Sequence, residues 1–247
     1  MSGSGKNRVD GQAAYVLHTY PYSETSLIVE AFSREVGRVA LIARGARRPK
    51  SAVRGQLMAF QPLELSWFGA GEMHTLAKLE WVGGQPLLQA DALLLGYYMN
   101  ELLLKLLPRE DAHPALYDAY TEAVRALAFG EPSQASLRRF EISLLKELGY
   151  GLTLDFEANS GEPVTAEKNY AWAIERGPVE VIYSTSERLD SDVPIFSGRT
   201  LLAMAQDDFF ESETLAQAKQ LMRLLINHYL GGQVLSSRRV FKELQAL

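Results

Sequence analysis

The sequence predicts an α+β fold, in which a small barrel of short strands precedes a mostly helical domain. Three patterns carry that prediction. Residues 1–82 contain short segments that alternate apolar and polar side chains, the period of a half-buried strand. After the "GGQP" of 83–86 the spacing becomes that of amphipathic helices, punctuated by Pro and Gly. A stretch rich in Glu, Ser, Gly and Pro at about 152–198 then interrupts the helices and marks a small irregular lobe with some β structure.

Taken in order, "MSGSGKNRVDGQ" (1–12) lacks an apolar core and reads as a flexible leader. Its "GSGK" shares four residues with a phosphate loop. No strand precedes it, and Asn7 stands where Ser or Thr should follow the lysine. Five strands are expected next, "AAYVLH" (13–18), "SLIVEAF" (26–32), "RVALIA" (38–43), "LELSWF" (63–68) and "TLAKLEW" (75–81). Turn signals at Glu35-Val36-Gly37 and Gly69-Ala70-Gly71 separate two of the pairs. Five strands with one long connection suit an oligonucleotide-binding (OB) barrel over 13–83, with an SH3-like barrel as the competing architecture.

From 84 to 247 the sequence reads as the helical domain. Leu87–Leu107 repeats at helical spacing until Pro108, and Pro114–Phe129 runs to Gly130. Ser133 is placed to cap a third helix, whose stripe is Leu137, Phe140, Leu144, Leu145 and Leu148. The lobe at 152–198 holds a hairpin built from "YAWAI" (170–174) and "VEVIYS" (179–184). Helices resume at about Thr200–Phe209, Glu213–Tyr229 and Ser236–Ala246. No apolar run reaches the roughly 18 residues of a membrane span, so no membrane partner is expected.

The composition narrows the chemistry. There is no cysteine, which excludes disulfides and thiolate zinc sites and suits a reducing cytoplasm. The four histidines, His18, His74, His113 and His228, show no metal-ligand spacing, and no hydrolase or dinucleotide motif occurs. Asp207-Asp208 could hold a hard cation in an undetected hydrolase, but adjacent acids near a helix end are more often solvated. Neither a catalytic residue, a cofactor nor a metal site is expected.

Charge is more informative. The chain is net −5, yet residues 1–82 hold 10 Lys/Arg against 7 Asp/Glu, while 83–247 hold 15 against 23. Within 34–54 stand Arg34, Arg38, Arg44, Arg47, Arg48, Lys50 and Arg54, with Glu35 as the one acid. Such a cluster on a barrel loop is an electrostatic footprint for a polyanion. Gly45, Pro49 and Gly55 let backbone come close to a phosphate, and Tyr15, Tyr20, Tyr22 and Phe60 are candidates to stack on bases. The bland alternative is a solvated loop. Arg138 and Arg139 lie beside the apolar stripe of their helix. They either snorkel over the core or form a rim for an acidic peptide with a hydrophobic terminus. Arg238 and Arg239 repeat the pattern with less context. A protein-interaction adaptor that takes an acidic partner is the competing function.

Four blocks then carry a resemblance. "AYVLHTYPYSETSLIVEAFSREVGRVALIARGARRPKS", "SLRRFEISLLKELGYG", "SGEP" and "YLGGQVLSSR", in this order and spacing, resemble the bacterial RecO family of recombination mediators over nearly all of 13–244. The resemblance implies an OB domain and a helical domain. It also implies binding to single- and double-stranded DNA, strand annealing, and work in the nucleoid with RecR and the acidic C-terminal tail of single-stranded DNA-binding protein (SSB). The cations after the third strand would contact DNA, and Arg138 and Arg139 would take the SSB tail. Many such relatives carry a four-cysteine zinc site in the small lobe. Here "LDFEANSGEP" stands in that region, and the lobe must hold without zinc.

Overall fold

A computed structural model describes residues 8–182 and 193–245. The "GSGK" segment, residues 183–184 of the second lobe strand and Ala246 lie outside the described residues. The chain forms two compact units. One runs up to Ser133 and resumes at Leu235; the other is Gln134–Val234.

The first unit opens with five strands, β1 (Arg8–Tyr22), β2 (Ser26–Ser33), β3 (Gly37–Ala43), β4 (Leu63–Phe68) and β5 (His74–Trp81). They close into a barrel in the order β1-β2-β3-β5-β4, and β4 returns to β1. Every pairing is antiparallel except β3 with β5, which meet in parallel at Leu41–His74 and Ile42–Thr75. That closure, with a short helix α1 (Ala52–Gln56) in the β3–β4 connection, is the OB arrangement, and the SH3-like alternative falls. The alternation of the sequence is visible in the core. Val29, Ala31, Val39, Leu41, Leu63, Leu65 and Trp67 point inward and form one buried cluster.

β1 begins at Arg8, five residues before the sequence pattern suggests, so residues 8–12 are strand where a leader was expected. Arg8–Gln12 is polar and interrupted by Gly11. Pairing with β4 at Arg8–Phe68 and Val9–Trp67 holds it in the ladder. Further along, a bulge between Val16 and His18 changes the phase of β1. Val16 therefore faces the core while His18 faces out, although two residues apart they would otherwise share a face.

Two helices follow, α2 (Ala90–Leu106) and α3 (Pro114–Ala128). Phe32 and Tyr15 on the outer barrel face lie against Tyr117 and Tyr120 of α3. Buried Asn100 of α2 donates to Leu17 O at 2.9 Å and accepts from the Tyr120 hydroxyl at 2.6 Å, so one amide bridges β1, α2 and α3. The α2–α3 link also touches the barrel. Glu110 N donates to Arg38 O at 2.9 Å, and Arg109 forms a parallel bridge beside Arg38. This short segment runs along the part of β3 that β5 does not reach.

The last helix, α7 (Ser236–Gln245), returns to the first unit and packs on α2. Glu101 of α2 caps it by accepting from Ser236 N, Ser237 N and the Ser237 hydroxyl at 2.7–2.9 Å. Burial opposes the Glu101 charge, but the Ser237 and Ser236 donors and Lys105 outweigh it and hold the carboxyl below its usual pKa. Arg238 donates to the Tyr98 hydroxyl at 3.1 Å and lies over that ring.

The second unit holds α4 (Ser133–Glu147) and a three-stranded sheet of β6 (Asn169–Ala173), β7 (Gly177–Glu180) and β8 (Ile195–Ser197), in the order β7-β6-β8. The β6–β7 hairpin matches the expected one, and β8 is additional. α5 (Gly198–Ala205) and α6 (Ser212–Tyr229) complete it. α5 ends four residues before the expected Phe209, because Asp207 takes a left-handed backbone.

Candidate nucleic-acid interface

The β3–β4 connection is anchored at its root and open at its tip. Gly45 adopts a left-handed conformation that turns the chain directly after β3, and the next residue, Ala46, is fully buried in the barrel core. Arg47 N then donates to Thr25 O at 2.9 Å, and its guanidinium donates to Ser23 O at 2.9 Å. These bonds fasten the connection to the β1–β2 turn. Beyond that point Arg48, Lys50 and Arg54 are exposed, as are Arg44 and Arg47, and none of the five makes an ion pair with a described residue. Five cations on a rooted loop create a local positive field that costs little further ordering when a polyanion arrives.

The other two cations of the run are placed differently. Arg34 makes a two-pronged ion pair with Asp118 of α3, at 2.9 and 2.8 Å, and a second pair with Glu35. Asp118, first among its neighbours, raises the guanidinium pKa further, and Arg34 in turn lowers that of Asp118. Arg38 is largely buried. It donates to Leu104 O and sits 3.6 Å from the buried Glu30 carboxylate, which also accepts from Arg109. Desolvation lowers the Arg38 pKa, and Glu30 opposes the shift. Arg34 is paired at the surface and Arg38 in the interior, and their partners Asp118 and Leu104 lie far away in sequence.

A cleft of about 630 Å³ beside the β4–β5 turn is lined by Arg38, His74, Arg109 and Glu110. Arg38 and Arg109 face Glu30 and His74 faces Glu110, so its basic groups, unlike those of the loop, already have acidic partners. The aromatic candidates also separate. Tyr15 and Phe60 are buried and structural, whereas Tyr20 and Tyr22 remain 44% and 41% exposed.

Comparison with known proteins resolves the relationship. A model described as "Recombination protein O N terminal" matches residues 11–85, and one described as "Recombination protein O C terminal" matches 87–239. The chain belongs to the recombination protein O (RecO) family. A protein named "DNA repair protein RecO" from an Azoarcus species is 58% identical over 98% of this chain and 99% of its own length. The protein of that name from Aromatoleum aromaticum is 58% identical over 99% and 100%, and that from Dechloromonas aromatica 53% over 98% and 99%.

The second RecO candidate region lies in the other unit. Arg138 is 6% exposed and donates to buried Glu141 at 3.0 Å, one turn along α4. It neither snorkels nor forms a rim. Arg139 reaches the surface, holds Asp207 through two contacts at 2.9 Å, and lies over the ring of Phe209. The neighbouring Phe210 is 95% exposed. Asp208 accepts from Phe210 N at 3.1 Å, so both acids of the Asp207-Asp208 pair have protein partners. Among the described residues no cluster of three His, Cys, Asp or Glu could hold a metal.

The lobe at 154–163 is organised by a carboxylate. Glu157 accepts from Asn159 N, Ser160 N and the Ser160 hydroxyl through one oxygen, and from Glu180 N of β7 through the other. The Ser160 amide and hydroxyl, aided by Asn159 and Glu180, hold its pKa below the usual carboxylate value despite some desolvation. A depressed folded-state pKa stabilises the lobe above the unfolded carboxylate pKa, and that stabilisation fades as pH falls through the folded value. Amide protection, relative to the intrinsic exchange rate at each pH, is therefore expected to fall at Asn159, Ser160 and Glu180 below the usual carboxylate pKa. In Glu157→Gln protection should be lower at neutral pH and flat across that window. Identical profiles would remove the carboxylate from the account.

Proposed function

We propose that this chain serves DNA repair as a recombination mediator. It binds single- and double-stranded DNA through the β3–β4 connection and anneals complementary strands. The observation that carries this reading is the anchored loop with five exposed cations free of carboxylate partners. Annealing by such a surface needs no covalent step. Cations screen the repulsion between two phosphate backbones and keep the strands close. Arg44, Arg47, Arg48, Lys50 and Arg54 are the contacts. Arg34 and Arg38 are left out of this set, since Arg34 holds Asp118 and Glu35 and Arg38 is largely buried beside Glu30. RecR and the nucleoid enter through family membership alone, with no residue assigned.

The test is fluorescence anisotropy of a labelled single strand across a salt series. The wild type is compared with a variant in which Arg44, Arg47, Arg48 and Lys50 are alanine. Four phosphate contacts correspond to a slope of roughly −3 in log affinity against log salt. The variant is expected to lose most of that slope, with a parallel loss of annealing. Equal slopes in two folded proteins would place the DNA site elsewhere.

A second part of the reading concerns the SSB tail. Arg139, above Phe209 and beside the exposed Phe210, offers an arginine fork next to apolar surface, which suits an acidic peptide with a hydrophobic terminus. Such a peptide must displace Asp207 from Arg139. Arg139→Ala is expected to weaken peptide binding about tenfold, a usual loss for one charge-assisted contact. Arg138→Ala should instead destabilise α4. Calorimetry with the peptide separates the two, and unchanged affinity in Arg139→Ala would sink the assignment.

A further inference from the structure

We propose that Tyr20 and Tyr22 on the outer face of β1 form a base-stacking platform, taking unpaired bases of a strand whose phosphates lie along the β3–β4 connection. The inference rests on the DNA reading of that connection and adds what distinguishes a single strand from a duplex.

The platform arises from the bulge in β1. Before it, Val16 pairs with Ala31 and both face the core. After it, His18, Tyr20 and Tyr22 alternate onto the outer face, opposite Glu30, Ile28 and Ser26 of β2. On that same face α3 covers Tyr15 and Phe32. The two tyrosines beyond the bulge remain exposed. His18 packs its ring edgewise on Tyr20 at 4.4 Å, which limits the tilt of the phenol. Across the sheet Tyr20 neighbours Ile28, and Ile28 neighbours Ile42, two residues before Arg44. An apolar strip therefore leads from the tyrosines to the first cation of the loop.

The other end is equally direct. Ser23 follows Tyr22, and its carbonyl holds the guanidinium of Arg47 at 2.9 Å. Aromatic faces and cations without carboxylate partners are thus joined at both edges of one surface. Glu30 on this face is buried against Arg38 and Arg109; the exposed acid in the turn is Glu24. An acidic protein partner would engage the cations but gives the exposed phenol faces no comparable role. A nucleic-acid strand matches both components, phosphates to the cations and bases to the rings. Duplex bases are already stacked on one another, so a duplex meets only the cations.

The test compares wild type, a Tyr20→Ala/Tyr22→Ala variant and a Tyr20→Phe/Tyr22→Phe variant. Anisotropy is measured with labelled oligothymidine, a strand of equal length made of abasic sugar phosphate, and a duplex. The alanine variant is expected to lose roughly tenfold or more on oligothymidine. Its salt slope and its affinity for the abasic strand and the duplex should not change, and the phenylalanine variant should behave as wild type. Unchanged oligothymidine binding in the alanine variant would overturn the proposal, and so would an equal loss on all three probes. The loop reading fails separately. If the loop variant keeps a steep salt slope while the tyrosine variant still loses oligothymidine alone, stacking stands and the phosphate site moves.

Discussion

Gly37→Ala is expected to cost the barrel more than about 3 kcal/mol, in the range reserved for backbone clashes and special conformations. Gly37 has φ of +79°, and a Cβ built there would lie 1.9 Å from Asp111 O. The left-handed backbone alone costs an alanine about 1–2 kcal/mol. The clash is with backbone, so no rotamer relieves it. The segment at 109–111 must move away, which breaks the bond from Glu110 N to Arg38 O and separates Arg109 from Glu30. Urea titration of the variant should show a lower midpoint, and amide exchange should quicken first at Arg38 and Glu110. A loss below about 1 kcal/mol would mean that the segment yields freely, at odds with the packing described.

The second large effect is expected at Glu30. Its carboxylate is buried between Arg38, also largely buried, and the more exposed Arg109. Glu30→Ala strips Arg38 of its counter-charge where water cannot replace it. Breaking one side of such a pair costs about 3–5 kcal/mol. The same rule predicts rescue. Glu30→Leu combined with Arg38→Met should recover most of the loss, because no unpaired charge then stays inside. Denaturant midpoints of the single and double variants decide the matter. If the double variant is as unstable as Glu30→Ala, shape rather than charge governs this corner.

Much of the barrel was legible because its chemistry is local. Alternation in "RVALIA" and "LELSWF" requires one buried face, and both segments are strands with that face inward. The first residues of β1 were not legible, because a polar stretch joins the sheet only through its distant partner β4. The bulge before His18 leaves no mark that alternation can detect, since Ala14–Leu17 is apolar throughout. At the site, residue type was readable but pairing was not. Arg34 and Asp118 are 84 residues apart, and nothing near Arg38 announces Leu104. The burial of Arg138, by contrast, has a local signal. Glu141 and Leu145 follow it at helical spacing, and Leu145 already belongs to the apolar stripe, so the row from Arg138 is buried with it.

The segment at 109–111 has a consequence for handling the molecule in pieces. β3 shares only two residue pairs with β5, so its first half would present bare amides and carbonyls to solvent were Arg109 and Glu110 not beside it. Open strand edges recruit other open strand edges. A fragment cut at the apparent end of the barrel, near residue 85, would lack this guard. Such a fragment should self-associate as its concentration rises, whereas one extended through α3 should not.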